Sequence, residues 1–391
     1  MIPFSSTQTQ LPVDRGPGKI HPRRISVGAR VGLTVILVLA ALPMLDVPIP
    51  ILLPGQLSSS GSLLILSIGL VFAGVAISFD VVFGYTGLLS AGHALVFALG
   101  IYATNLLMHA GLGYFSAAAL AIVLSGLVNT ALGAIALRVK AVAFTMVTLA
   151  FGEAFYILLL VDPVGIFGGE EGLPVAFERI PDLLASARDV RWLYWLSLAF
   201  AVVAYLLAWM ATRSRCGQVW QAIRENEDRV ESLGLLSYSY KLVAYAFGGV
   251  IAAAGGAVYL LVARGANPSS ASVHFSLALI VMVVLGGRGR IWGAAIGGLI
   301  YGILTLRLPE LSTSGVLDGL PEWASRTVSE PLVVLGFLFI LIVLFFPDGI
   351  VGLVDRANSR LRTMRPRSMN ENTLILPPDE PIEVDEIRTK H

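Results

Sequence analysis

The chain has 391 residues, of which 56% are hydrophobic and 14% charged, with a formal net charge of +1 and a mean hydropathy of +0.79. A soluble domain carries charge on about a quarter of its residues, so a soluble fold is excluded, and the near-zero net charge gives no support to a nucleic-acid partner. The single cysteine, Cys216, excludes an intrachain disulfide and a cysteine-rich metal site.

Taken in order, residues 1–30 are polar, rich in Pro, Gly and Ser, and carry Arg23, Arg24 and Arg30. They read as a cytoplasmic tail with no signal-cleavage pattern. A transmembrane domain, 31–354, follows. Its apolar spans are expected at about 31–45, 62–83, 90–108, 115–137, 142–161, 192–211, 241–262, 275–286, 291–306 and 331–346. Residues 355–391 form a charged, Pro-containing tail of disordered character. The fold class is therefore an all-α polytopic membrane protein of about ten helices. Charge sets its orientation, because cytoplasmic loops collect Lys and Arg. With the N-terminus inside, Lys19, Lys140, Lys241 and Lys390 all fall inside, while the loop 46–60 has no basic residue and 162–190 is acid-rich. Arg179, Arg188, Arg264, Arg307 and Arg326 fall outside, so the rule acts as a bias. An N-in, C-in topology follows, and the eighth span is short for a bilayer.

Polar residues inside such spans are informative. Residues 84–105 carry Gly84, Gly87, Ser90, Gly92, His93 and Gly100 in an apolar setting. Glycine lets backbone turn or approach closely, and irregular backbone at membrane depth survives only where protein or a cavity covers it. Gly84 and Gly87 are expected to break the helix. Val81–Gly87 is echoed by Val283–Gly289, so Gly286 and Gly289 are the matching breaks; paired glycine interruptions point to a transporter's binding region, although apolar Gly-rich spans also match by chance. Helical spacing stacks Ser90, His93, Phe97, Gly100 and Thr104 on one face. That face reads either as a pathway wall or as tight packing through small residues, with His93 satisfied by one partner. Thr145, Thr148, Gly152 and Tyr156 share a face of the fifth span, flanked by Glu153. An ionisable residue there touches substrate or pairs across helices, or else is a protonated or hydrogen-bonded structural glutamate. Asp80 reads as a cap on the Gly84 break.

Gly217–Gly234 is the most informative polar segment. Read as one amphipathic helix, it places Val219, Ala222, Ile223, Val230 and Leu233 on one face, with Arg224/Asp228 and Glu225/Arg229 as i,i+4 pairs and Gly234 as the terminating glycine. Its mixed charge favours a protein partner over a lipid surface, which selects Lys and Arg. There is no Gly-x-x-x-x-Gly-Lys-Ser/Thr loop, no Gly-x-Ser-x-Gly elbow, and no metal-ligand spacing among His21, His93, His109, His274 and His391. No cofactor is expected in this chain, and enzymatic chemistry has little support.

Six pieces in order resemble the LivM-type permeases of branched-chain amino acid ABC importers. They are Gly84–His93 with Gly100-Ile-Tyr102, Val147–Glu153, Phe167–Pro174, Arg213–Asp228 with Leu233-Gly234, Met282–Gly293, and Phe345–Gly349. The resemblance implies a multi-pass subunit of the bacterial inner membrane. Its partners would be a second homologous permease (LivH-like), two cytoplasmic subunits that bind ATP, and an external solute-binding protein. It makes Gly217–Gly234 the ATPase-coupling segment, with Ala222, Ile223, Arg224, Glu225 and Gly234 as its key positions. It makes Ser90, His93, Tyr102, Thr145, Thr148 and Glu153 the substrate-pathway candidates, and the loops 162–190 and 307–330 candidate docking surfaces. The family usually has Asn where Asp80 stands. Related permeases carry urea or short amides, an alternative substrate class here. A stand-alone ion-coupled transporter using Glu153 or Asp80 is the alternative mechanism.

Overall fold

The computed structural model describes residues 27–46, 55–185 and 190–313, with a few isolated positions beyond. The tenth predicted span, most of the two tails and most of the loop 307–330 lie outside the described residues. Within them the chain is helical: α1 (Val27–Ala41), α2 (Ser60–Asp80), α3 (His93–His109), α4 (Tyr114–Ala136), α5 (Ala141–Val161), a single turn α6 (Asp182–Ala185) and α7 (Arg191–Arg213). Then come α8 (Arg215–Glu225), α9 (Glu227–Ser232), α10 (Ser237–Ala263), α11 (Val273–Gly286) and α12 (Ile291–Thr313). The strands among the described residues are two residues each, β1 (Leu173–Pro174) and β2 (Gly265–Ala266), paired antiparallel.

Six helices among the described residues, of 20–27 residues, are long and apolar enough to cross a membrane. Three shorter apolar helices, Thr34–Met44, His93–His109 and Val273–Gly286, occupy the first, third and eighth predicted spans. At 1.5 Å per residue, α11 is only about 21 Å long, against a hydrocarbon core of about 30 Å.

The bundle is built around α2. Its window is 94% buried, against 28% for α4 and 22% for α5. α2 packs on α12, α7, α10 and α11; small residues along it let those helices come close. Glycines set how close its neighbours come. A Cβ on Gly298 would lie 2.5 Å from Phe72 O, and one on Gly74 2.3 Å from the Phe200 ring of α7. A second layer, α3, α4 and α10, packs alongside. There a Cβ on Gly100 would meet Ala253 O at 2.2 Å and one on Gly256 would meet Phe97 O at 2.2 Å. The small-residue reading of the third span is thus visible as backbone-to-backbone contact between α3 and α10.

Some buried hydroxyls within the layers bond to carbonyls of their own helix. Ser67 donates to Leu63 O, Thr104 to Gly100 O and Ser197 to Leu193 O, each one turn back. The loop after α5 is folded. Asp162, in the left-handed region at φ 42°, accepts N–H bonds from Ile166, Phe167 and Gly168 at 2.9–3.0 Å. Asn105 Nδ2 donates to Leu173 O and Pro174 O, both at 3.1 Å, fixing β1 to the end of α3.

Candidate functional site

The two echoed motifs meet in space. The helix does not stop at Gly84: α2 continues into a π-helical turn, Val81–Tyr85, in which Gly84 is buried. The reversal comes at Gly87, with φ +77°. In the second motif Gly286 is the last residue of α11, and the turn is made by Gly287 (φ +115°) and Gly289 (φ +76°). Of the four expected breaks, Gly87 and Gly289 have turn geometry. Gly84 and Gly286 serve close approach. A Cβ on Gly84 would lie 1.9 Å from Asp80 Oδ1 and 2.6 Å from Gly289 N, and one on Gly286 1.9 Å from Gly293 O.

Asp80 joins the motifs. Gly289 N donates to Asp80 Oδ1 at 2.8 Å, so the carboxylate caps the turn of the other motif rather than a break in its own helix. Asp80 is fully buried, with the Gly289 turn lying over it. Arg288 and Arg224 are both within electrostatic reach of it.

Arg224 comes from α8. The Gly217–Gly234 segment is two helices rather than one. Asn226, extended at φ −161°, ends α8 and begins α9, accepting the Arg229 N–H on its own Oδ1 at 2.9 Å. This is ordinary asparagine capping, and it breaks the register that the i,i+4 pairs Arg224/Asp228 and Glu225/Arg229 require. Arg224 Nη1 donates instead to Gly84 O. Its Cγ would be 3.5 Å from a Cβ on Gly87, and its Nη1 2.6 Å from one on Gly289.

The inner face of this hairpin is Trp220, Ile223 and Val230, each under 5% exposed. Trp220 Nε1 donates to Tyr240 O at 2.9 Å. Ile223 and Val230 were expected there; Trp220 was not. Ala222 and Glu225 are exposed, and Leu233, expected on the buried face, is 76% exposed. The kink at Asn226 rotates α9, which turns Leu233 outward beside Leu236, itself 74% exposed. Gly234 is left-handed at φ +81° with open space around it, the conformation of a glycine that ends a helix.

A group that sequence reasoning missed ties α9 to α10. Lys241 Nζ pairs with Glu227 Oε1, and the Ser237 hydroxyl, with one proton to give, lies 2.9 Å from Glu227 Oε1 and 2.5 Å from Glu231 Oε1. These pairs cross 6–14 residues and carry no periodic signature. Burial opposes the charged form of Glu227, but hydrogen bonds from Lys241 and Ser237, and the charges of Lys241 and Lys140, hold its pKa below the ordinary glutamate value. A cleft of about 330 Å³ opens between these elements, lined by Gly87, Leu89, Val142, Thr145, Arg224 and Glu227.

The pathway candidates are dispersed along α3 and α5. Ser90, His93, Tyr102 and Thr148 are each at most 1% exposed. His93 Nε2 lies 3.0 Å from Ser78 Oγ, whose own hydroxyl donates to Val75 O at 2.6 Å. The serine proton is thus spent, and His93 is the donor to Ser78. Its ring is edge-on to Phe79 at 5.3 Å. Tyr102 sits past the middle of α3 and donates to Ala266 O at 3.4 Å. Thr145 Oγ1 donates to Leu89 O at 2.8 Å, and Thr148 to Thr145 O at 2.9 Å. Glu153 is half-buried and accepts from Val273 N at 3.3 Å, at the start of α11. The structure therefore joins Ser90, His93, Thr145 and Thr148 near the Gly84 end, and separates Tyr102 and Glu153 from them.

Comparison with known proteins places this arrangement. The permease LivM of the high-affinity branched-chain amino acid transport system of Salmonella typhimurium is 26% identical over 318 residues, covering 75% of this chain and 70% of that protein. Its counterpart in Escherichia coli is 25% identical over the same shares. The probable branched-chain amino acid transport permease LivM of Methanocaldococcus jannaschii is 26% identical over 333 residues, covering 74% of this chain and 92% of that protein. No solved structure matches the chain significantly. The family described as "Branched-chain amino acid transport system / permease component" matches residues 61–344, and the chain belongs to that family.

Proposed function

We propose that the chain is the membrane-spanning permease subunit of an ABC importer for branched-chain or related amino acids. In this reading it crosses the bacterial inner membrane ten times with both termini inside. The Gly84 end is cytoplasmic, and the α8–α9 hairpin is the surface on which an ATP-binding subunit acts. One observation carries the assignment. The inner side of the hairpin is locked to the body through Trp220, Ile223 and Val230, while Leu233 and Leu236 are exposed at the tip. Exposed apolar side chains on a charged segment suit a protein partner. Two ATP-binding subunits, a second homologous permease and an external binding protein complete the assembly. The folded 162–175 loop, at the far end of α3, is the docking side for the binding protein.

In the same reading Thr145, which lines the cleft, and the half-buried Glu153 border the substrate path. Ser90, His93, Tyr102 and Thr148 support its walls. The α4 and α5 faces, largely uncovered, meet lipid and the second permease. The test is uptake of radiolabelled leucine by the whole assembly in proteoliposomes. Uptake that needs ATP and all subunits supports the reading, as does loss of uptake with continued ATP hydrolysis in Leu233→Asp/Leu236→Asp. Uptake by the purified chain driven by an ion gradient would overturn it. Competition by leucine but not by urea or acetamide distinguishes the substrate classes.

A further inference from the structure

Of the long helices among the described residues α5 is the least covered, with 22% of its window buried, yet Phe144 near its inner end is 1% exposed. The Phe144 ring stands edge-on to the Tyr245 ring of α10, with centroids 5.9 Å apart and planes at 81°. These two rings, with Val82, Leu88 and Ala136, form an apolar cluster separate from the main core. The cleft of about 330 Å³ ends on this cluster, since Leu88 and Phe144 line it while Val82 and Tyr245 do not. Tyr245 in turn reaches Ser90, whose hydroxyl is fully buried and has no well-aligned hydrogen-bond partner among the described residues. A buried hydroxyl left in that state is costly, and in a native structure it calls for a function or for a partner gained in another state. The backbone of α5 meets the chain before α3 closely at Gly92, where a Cβ would lie 2.0 Å from Thr148 O. Thr148 is one turn from Phe144, about 6 Å along the helix.

We propose that Phe144 and Tyr245 form the cytoplasmic seal of the permease: the structure holds it shut, and a tilt of α5 about the Gly92–Thr148 contact withdraws Phe144 and opens Ser90 to the cleft. An edge-on aromatic pair fills the gap between α5 and α10, and an apolar constriction of this kind closes a path by excluding water. The pair is held by packing alone, so it can part and re-form in each cycle. Thr145, next to Phe144, donates to Leu89 O at 2.8 Å, which joins α5 to the connection that carries Leu88. Ile223 and Arg224 of α8 line the same cleft, so the hairpin faces the space into which Phe144 withdraws. This inference rests on the importer reading and adds two residues that neither the coupling segment nor the path candidates contain.

The experiment uses the full assembly in proteoliposomes. The single native cysteine, exposed Cys216, is replaced (Cys216→Ser) and a reporter thiol is placed by Ser90→Cys. A membrane-impermeant maleimide is added on the side of the ATP-binding subunits, and the labelling rate is read at rest. With Phe144 intact labelling is expected to be slow; Phe144→Ala is expected to speed it on the order of tenfold or more, the signature of a local opening. Leu193→Ala, at a similarly buried position on α7, is expected to lower Tm without speeding labelling, and a purely structural Phe144 would behave likewise. Fast resting labelling with Phe144 intact, or unchanged labelling in Phe144→Ala, overturns the proposal. If Phe144→Ala does not assemble, Phe144→Cys/Tyr245→Cys in the Cys216→Ser background is bridged with a short bifunctional thiosulfonate. The bridge is expected to stop ATP-driven leucine uptake and reduction to restore it; uptake at the unbridged rate through the bridged seal overturns the proposal. Absence of ATP-driven uptake in the wild-type assembly would count against the importer reading, whereas the resting labelling contrast tests the seal independently of uptake.

Discussion

His93→Ala separates the two roles the sequence leaves open for this histidine. The imidazole is 1% exposed, bonded to Ser78 Oγ and set edge-on against Phe79. Losing that hydrogen bond costs about 1 kcal/mol. Emptying a closely packed site of a ring somewhat smaller than phenyl adds about 2–3 kcal/mol, since phenylalanine deletions cost about 3–5. The sum of about 3–4 kcal/mol corresponds to a fall in Tm of roughly 6–16 °C at about 2–4 °C per kcal/mol for a chain of this order of size. His93→Gln, which can still donate to Ser78, should recover about 1 kcal/mol of it. The assay is a thermal melt of the purified assembly, paired with uptake normalised to folded complex. If His93 is a wall support, normalised uptake in both variants stays within about twofold of wild type, as expected where no transport-specific interaction is removed. A tenfold loss of normalised uptake with an unmoved Tm would refute the reasoning and restore His93 to the path itself.

Three further outcomes follow from the geometry. Gly100→Ala puts a Cβ 2.2 Å from Ala253 O; backbone cannot yield locally, so α3 and α10 must part, costing about 1–3 kcal/mol, and a melt within 1 °C of wild type would contradict this. Asn105→Ala removes the donor to both Leu173 O and Pro174 O, about 1 kcal/mol per bond, and should speed hydrogen exchange across 165–175 without affecting the Gly84 end. For Glu227, whose pKa is held below the ordinary value mainly by Lys241 and Ser237 against the effect of burial, the pairing contributes fully above that value. It is lost as pH falls from about 4.3 downward. Exchange at the 237–241 amides should therefore accelerate on acidification in the wild type and be fast and pH-flat, after correction for intrinsic rates, in Glu227→Gln.

The periodic part of the architecture was legible in the residues. Apolar spans of the right length predicted nine of the helices among the described residues within a few positions, because lipid and a packed interior both impose the helical period. The glycine echo was legible too, as Val81–Gly87 and Val283–Gly289, but not its meaning: sequence similarity cannot say that two motifs touch. The single-helix reading of Gly217–Gly234 failed at Asn226, where a side chain that can cap its own following turn competes with helix continuation. That one residue moved Leu233 from the buried face to the surface and redirected Arg224 from Asp228 to Gly84. Trp220 escaped because a lone aromatic in a charged segment carries no pattern. Asp80 was legible as unusual but not as a bridge, since its partner lies 209 residues away.

The centrality of α2 bears on how the protein is made. Its most extensive neighbour, α12, begins at Ile291, so about 210 residues must be synthesised after α2 before that face can be covered, a delay of roughly 10–40 s at about 5–20 residues per second. During that interval α2 sits in lipid with a stripe of small and hydroxylated residues uncovered. Ser67 and Ser78 bond to the carbonyls of their own helix, so neither hydroxyl has to wait for a partner. The late arrival of α12 makes closure of the bundle an end-of-synthesis event, and a nascent chain arrested before Ile291 should remain a substrate for membrane quality control.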